Sequence, residues 1–106
     1  MPYYMHQWRY KDEQIRTILL EDKDRAEVVR VSIEAFGGTL EAFYYCFGDF
    51  DGVAISRFEN AESAFASLLA VAGGGKISAM KTTTLFAPDE GLRAIRVARK
   101  LIGNED

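Results

Sequence analysis

The spacing of apolar residues along the chain predicts four strands and four helices. Runs rich in aromatic and β-branched residues, which are typical of strands, cover residues 3–10, 39–47, 52–58 and 77–86. Elsewhere apolar residues recur every three or four positions, as they do on one side of a helix. These predicted helices follow Asp12, Asp24, Asn60 and Pro88.

The order of these elements predicts an α+β fold. Strand, helix, strand, strand, helix, strand is the βαββαβ order of ferredoxin-like domains, in which two helices cover one face of an antiparallel sheet. The segment after Pro88 adds a C-terminal helix. Because 106 residues suffice for one core, and no linker or internal repeat divides the chain, we expect a single domain over residues 1–106.

Both faces of the predicted sheet carry apolar or aromatic residues, and two helices cover only one of them. In the first strand, Tyr4 and Trp8 lie on one face while Tyr3 and Met5 lie on the other. The second face therefore needs either the terminal helix or a second subunit. We favour a dimer packed sheet to sheet, forming an α+β barrel with an enclosed cavity.

The composition is that of a globular protein and gives little reason to expect a charged partner. Hydrophobic residues make up 48% and charged residues 27%, and the formal net charge is -3. Nothing in this balance favours nucleic acid or an anionic membrane. No apolar run approaches the roughly 20 residues of a membrane-spanning helix, and the N-terminus lacks the features of a signal peptide. We expect a cytoplasmic protein.

Few residues are able to hold a metal. His6 is the only histidine and Cys46 the only cysteine, so a metal site within one chain would depend on carboxylates. Neither an EF-hand spacing nor a His-Glu-x-x-His pattern is present. We interpret Cys46 as a small buried hydrophobic residue. The sequence predicts neither a metal nor a cofactor.

His6 is the best candidate for a catalytic group, because histidine alone titrates near neutral pH without help from its surroundings. On an extended strand its side chain shares one face with Tyr4 and Trp8, so the three would line one pocket. The alternative is a partly buried histidine whose ring is satisfied by a backbone carbonyl or a dimer contact. Tyr44 and Arg57 are further candidates for ligand binding, although Arg57 also suits the edge of the sheet.

Gly48, Asp49, Phe50 and Asp51 separate the second and third strands, and the connection is short enough for an antiparallel hairpin. The simpler interpretation is a turn in which glycine accepts a positive φ and the aspartates bond to nearby backbone amides. The other places Asp49 or Asp51 at the mouth of a barrel as a base or a ligand anchor.

This hairpin and the elements around it resemble the GYD domain, a family of small bacterial proteins named after a Gly-Tyr-Asp segment at this position. The resemblance covers roughly residues 3–86. Gly48 and Asp51 match the flanking positions of the segment, whereas Phe50 stands in place of the tyrosine and lacks its hydroxyl. The resemblance implies a dimeric α+β barrel and no particular reaction.

Three functions remain open at this point. The first is a binding or accessory protein with an aromatic-lined pocket for a small organic ligand, formed in an oligomer. The second is a cofactor-independent enzyme of the monooxygenase or isomerase type, with His6 as the base and Trp8, Tyr44 and Arg57 positioning the substrate. The third is an oligomeric interaction module without a ligand.

Overall fold

A computed structural model gives the structure of residues 1–103, which form one antiparallel sheet and four helices. In chain order the elements are β1 (Tyr3–Tyr10), α1 (Asp12–Glu21), α2 (Arg25–Ala35), β2 (Thr39–Tyr45), β3 (Gly52–Arg57), α3 (Ala61–Gly73), β4 (Ile77–Leu85) and α4 (Pro88–Leu101). The predicted α+β, ferredoxin-like fold with an additional C-terminal helix is confirmed.

The sheet has the strand order β2-β3-β1-β4, and all neighbouring strands are antiparallel. β1 is therefore central, with His6 paired to Ala54 of β3 on one side and to Thr82 of β4 on the other. Because side chains alternate along a strand, this pairing decides which residues of all three strands face the helices. Even-numbered residues of β1 face the helices, and odd-numbered ones lie on the opposite face.

Two of the three side chains predicted to cap helices, Asp24 and Asn60, do so, whereas Asp12 is already the first residue of α1 and the preceding Lys11 takes the N-cap position without a side-chain hydrogen bond. The Asp24 carboxylate accepts a hydrogen bond from the backbone N–H of Ala26, 3.0 Å away, and the Asn60 side chain accepts one from Ser63 at 2.9 Å. Gly37 has a φ of 81° after α2, the left-handed conformation in which glycine carries no steric penalty. Three strands end earlier than predicted: β2 by two residues, and β3 and β4 by one each.

The core lies between the sheet and helices α2 and α3. Tyr4 of β1, Ile33 of α2, Phe58 after β3 and Ala64 of α3 form its buried centre. Phe58 is fully buried, and a Cβ built on Gly38 would lie 2.6 Å from its ring. Only glycine therefore lets the chain enter β2 so close to this ring.

The other face of the sheet, which we call the open face, is not covered by the chain itself. Among the described residues on this face, Met5, Val53 and Ile55 are half-buried, and Tyr44 is 67% exposed. Helix α4 does not cover it, since its apolar residues Leu92, Ile95 and Leu101 are 45%, 64% and 82% exposed. The sequence left two possible covers for this face, the terminal helix and a second subunit. Within a single chain, the terminal helix is thus ruled out.

The molecule is elongated. Its radius of gyration is 17.1 Å and its principal extents are 63 × 29 × 21 Å, whereas a compact domain of 100 residues has a radius of gyration of about 13 Å. Within residues 1–103, none of the helices has both the length and the apolar character needed to cross a membrane.

We predict that Gly52→Ala destabilises the protein by about 1–3 kcal/mol, the usual cost of forcing extra volume into a packed site. A Cβ at Gly52 would lie 2.4 Å from Cζ2 of Trp8, so the indole would have to move. Urea unfolding followed by the fluorescence of Trp8, the only tryptophan, measures the change.

Gly73→Ala is the matched control. A Cβ at this position in the last turn of α3 meets nothing within 4 Å, and the helix gains a better helix former. We expect equal or slightly higher stability for this variant. Equal stability of Gly52→Ala and the wild type would contradict the close packing of Trp8 on β3.

Candidate functional site

A cavity of about 300 Å³ lies on the helix side of the sheet, between β1 and the helices α2 and α3. Its walls are mostly apolar. The sheet contributes His6, Trp8, Tyr10, Ala54, Ile77 and Met80; α2 contributes Arg25, Val28, Val29, Ser32 and Ile33; α3 and the turn after it contribute Ser67, Leu68, Ala70, Val71, Gly74 and Lys76.

The aromatic wall of the cavity comes from Trp8 and Tyr10 of β1, and Phe43 of β2 packs against Trp8. Trp8 is 7% exposed, and its ring centroid lies 5.9 Å from that of Phe43 and 6.4 Å from that of Tyr10. The indole packs on the backbone of Gly52, whose lack of a side chain leaves room for it. The ring is thus held on three sides and gives the cavity a rigid apolar surface.

His6 lies on the wall of the cavity and is only 8% exposed. Its Nε2 is 2.7 Å from Oγ of Ser56, and its Nδ1 is 3.1 Å from Oγ1 of Thr82. A neutral imidazole has one donor and one acceptor nitrogen, and the two hydroxyls satisfy both. Burial lowers the pKa of His6 from 6.5 to about 4, because the protein interior disfavours the charged ring. His6 is therefore neutral at physiological pH.

Two cations lie at the end of the cavity near Tyr10. The guanidinium of Arg25, at the start of α2, sits 5.7 Å from the centroid of the Tyr10 ring. Lys76 immediately precedes Ile77, which pairs with Tyr10, and its carbonyl accepts a hydrogen bond from the backbone N–H of Lys11 at 3.0 Å. The strand pairing therefore places Lys76 beside the same end of β1.

The hairpin between β2 and β3 is fastened to β1. The Asp51 carboxylate accepts a hydrogen bond from the backbone N–H of Tyr10 at 2.8 Å, and the Asp51 N–H donates to the Trp8 carbonyl at 2.7 Å. Arg9 donates to the carbonyls of Gly48 and Asp49 at 2.9 and 2.7 Å. The hairpin thereby holds the end of β1 that carries the aromatic wall.

Neither aspartate nor the aromatic residue of this hairpin lines the cavity. Asp49 is exposed, and Phe50 and Asp51 are partly exposed in the turn. Gly48 has a φ of 159°, at the border of the region that favours glycine. These contacts agree with the interpretation of the segment as a turn.

The five ligand or catalytic candidates from the sequence fall into two groups. Tyr4, His6 and Trp8 share the helix side of β1, and His6 and Trp8 line the cavity, whereas Tyr4 is part of the core beside them. Tyr44 and Arg57 lie on the open face. The Arg57 Nε is paired with Oε2 of Glu41 at 3.1 Å. The sheet thus separates these two residues from His6.

Several cavity residues were not identified from the sequence, chiefly Arg25, Lys76, Ser32 and Ser67. A second apolar stripe on α2, which includes Val28, was the one available signal that this helix is covered on two sides. The charged residues gave no such signal, because an arginine at a helix start and a lysine after a glycine turn are both usual at the surface.

We predict that the free energy of unfolding decreases as the pH falls from 6.5 to about 4. Protonation of His6 in the unfolded chain accounts for about 2–3 kcal/mol of this decrease. The folded pKa lies below the unfolded value, so in this window the unfolded chain binds the proton and the folded chain does not. Above pH 6.5 His6 is mostly neutral in both states, so this loss of stability is absent there. Urea unfolding at several pH values measures it.

The control is His6→Gln, which keeps a donor and an acceptor but does not titrate. Carboxylates titrate in both proteins, so the difference between their stability curves isolates His6, the only histidine. We expect the two curves to diverge below pH 6.5. Parallel curves down to pH 4.5 would show that the folded and unfolded states have the same histidine pKa.

Comparison with known proteins agrees with the resemblance noted in the sequence. No curated protein matches the chain. The family model of the GYD domain matches residues 4–95, which include all four strands and the helices α1, α2 and α3. The chain belongs to the GYD domain family.

Proposed function

We propose that this GYD domain protein binds a small organic molecule in the cavity between β1 and the helices α2 and α3, as a binding or accessory protein. The observation that carries the proposal is the cavity itself. It is partly open to solvent and has mostly apolar walls with a few polar groups, as sites for small molecules usually do. Its volume of about 300 Å³ reaches the lower end of the range for ligand pockets.

The cavity exists because small residues face it from both sides. Ala54 on β3 and Ser67 on α3 both line the cavity and are buried. Larger side chains at these positions would fill the space and add apolar burial of about 0.8 kcal/mol for each methylene. The chain forgoes this stabilisation, which supports a role for the space in binding.

The chemistry of the walls suits recognition better than catalysis. A general base acts best with a pKa near the working pH and a nitrogen free to take a proton. His6 has a pKa of about 4, and its two nitrogens are engaged by Ser56 and Thr82. These features argue against the alternative of a cofactor-independent enzyme that uses His6 as its base.

The proposal predicts that an uncharged fluorescent probe, N-phenyl-1-naphthylamine, binds the wild type and loses most of its affinity in Ala70→Phe. Ala70 lines the cavity at its exposed edge on α3, so a phenylalanine there covers the opening and obstructs entry of the probe. Binding is measured by probe emission excited through energy transfer from Trp8.

Ala66→Phe is the matched control, since Ala66 lies on the same helix and is exposed, as Ala70 is, but does not line the cavity. It receives the same substitution and should bind as the wild type does. A probe that fails to bind the wild type, or that binds all three proteins equally, would favour an interaction module without a ligand.

As a second part of the proposal, the protein works as a homodimer in which the open face packs on a second copy. Apolar side chains on this face, such as Met5, Val53 and Ile55, have no cover within the described chain. Contiguous apolar surface of this kind usually marks an interface. A two-fold axis would let each copy cover the open face of the other.

The exposed surface and helix α4 support the same dimer. The accessible surface is 7297 Å², about 1,300 Å² more than the roughly 6,000 Å² expected for a compact monomer of 11.9 kDa. A stable interface buries about 800 Å² on each partner. Apolar residues along one side of α4 account for part of the excess, and Arg93 and Arg96 lie on the other side.

Light scattering coupled to size exclusion at low micromolar concentration should give twice the chain mass of 11.9 kDa. Ile95→Glu, on the apolar side of α4, and Ile55→Glu, on the open face, should shift the protein to monomer because a carboxylate would be buried. Arg96→Glu introduces the same residue on the polar side of α4 and should leave the dimer intact. A wild-type monomer would refute this part of the proposal without affecting the cavity.

A further inference from the structure

The residues that line the cavity carry a net positive charge, whereas the whole chain carries a net negative charge. The chain has 16 acidic and 13 basic residues and a formal net charge of -3. Among the described residues that line the cavity, two are basic, Arg25 and Lys76, and none is acidic. His6 is neutral at physiological pH, so these two side chains set the charge of the cavity. An acidic protein thus presents a positive binding site.

Both cations lie at one end of the cavity. Arg25 stacks on the ring of Tyr10, and Lys76 is placed beside Tyr10 by the pairing of β4 with β1. His6 lies four residues away on the same face of β1, a distance of about 13 Å along the strand. The cavity is therefore positive near Tyr10 and neutral near His6.

Arg25 has hydrogen-bonding capacity that residues 1–103 do not use. Among these residues its buried Nε has no hydrogen-bond partner, and its side chain is only 12% exposed. Its Nη1 lies 3.9 Å from Oε1 of Glu21, too far for a hydrogen bond. A buried donor left unsatisfied costs about 1–3 kcal/mol, more when the group is charged. An anionic acceptor in the cavity would remove this cost.

Among the described residues, Glu21 is the one carboxylate paired with Arg25, and it competes only weakly with a ligand. Its side chain is 39% exposed, and its Oε1 lies beyond hydrogen-bonding distance of the guanidinium. Lys76 is exposed and makes no ion pair within the part of the chain that the structure describes. Both cations are therefore available to a ligand that enters the cavity.

We infer that the ligand is an organic anion with a compact apolar body, such as a small aromatic carboxylate or sulfonate. Its acidic group binds Arg25 and Lys76 at the Tyr10 end, and its ring lies against Trp8, Val29 and Met80. The planar guanidinium suits a carboxylate or sulfonate, with which it forms paired hydrogen bonds. This inference rests on the proposed function, because it names the chemical class that the same cavity takes.

Two probes that differ by one acidic group test the inference. 1-Anilinonaphthalene-8-sulfonate is anionic, and N-phenyl-1-naphthylamine is its uncharged counterpart. Arg25→Gln and Lys76→Gln should each weaken the sulfonate by about ten-fold or more, and change the affinity of the neutral probe less than two-fold. Probe binding that persists in Ala70→Phe is assigned to sites outside the cavity, and its signal is subtracted from that of each other protein.

Arg16→Gln is the control for a general change in charge, since Arg16 is exposed on α1 and does not line the cavity. It should leave both affinities unchanged. If Arg25→Gln does not fold, as shown by circular dichroism, Lys76→Gln still decides the question because Lys76 is exposed in a turn.

The outcomes separate this inference from the proposed function. Loss of sulfonate affinity in the Arg25 or Lys76 variant, with the neutral probe unaffected, supports an anionic ligand. If both probes bind in the cavity and neither variant affects the sulfonate, the inference is wrong and the proposed function stands. If neither probe binds in the cavity, both are wrong.

Discussion

The pairing of β1 with β3 on one side and β4 on the other is the constraint on which the rest of the structure depends. A central strand has its position and register fixed from both edges, so its alternate side chains are assigned firmly to opposite faces. Tyr4 enters the core, His6 and Trp8 enter the cavity wall, and Met5 faces outward. A slip of one residue would place the outward set in the core and remove the cavity.

The same pairing explains why His6 is buried and neutral. Ser56 of β3 and Thr82 of β4 flank it from the two neighbouring strands, and their hydroxyls satisfy its two nitrogens. Buried polar networks are stable when every member has a partner, and they then fix a single arrangement of side chains. We therefore regard His6 as a residue that orders the centre of the sheet.

The hairpin between β2 and β3 contributes to the cavity without lining it. Asp51 holds the backbone of Tyr10, and the Tyr10 ring supports the guanidinium of Arg25. A change in the hairpin is thus transmitted through two contacts to the positive end of the cavity.

The sequence by itself determined the element order, the ferredoxin-like fold and the helix caps at Asp24 and Asn60, because these depend on local spacing and on side chains close in the chain. Only the tertiary structure decided which side of the sheet the helices cover. That choice separated Arg57 from His6, although both lie on neighbouring strands. The place of Arg25 in the cavity also depended on the tertiary structure, because a residue at the start of a helix lines a cavity only when packing brings distant segments together.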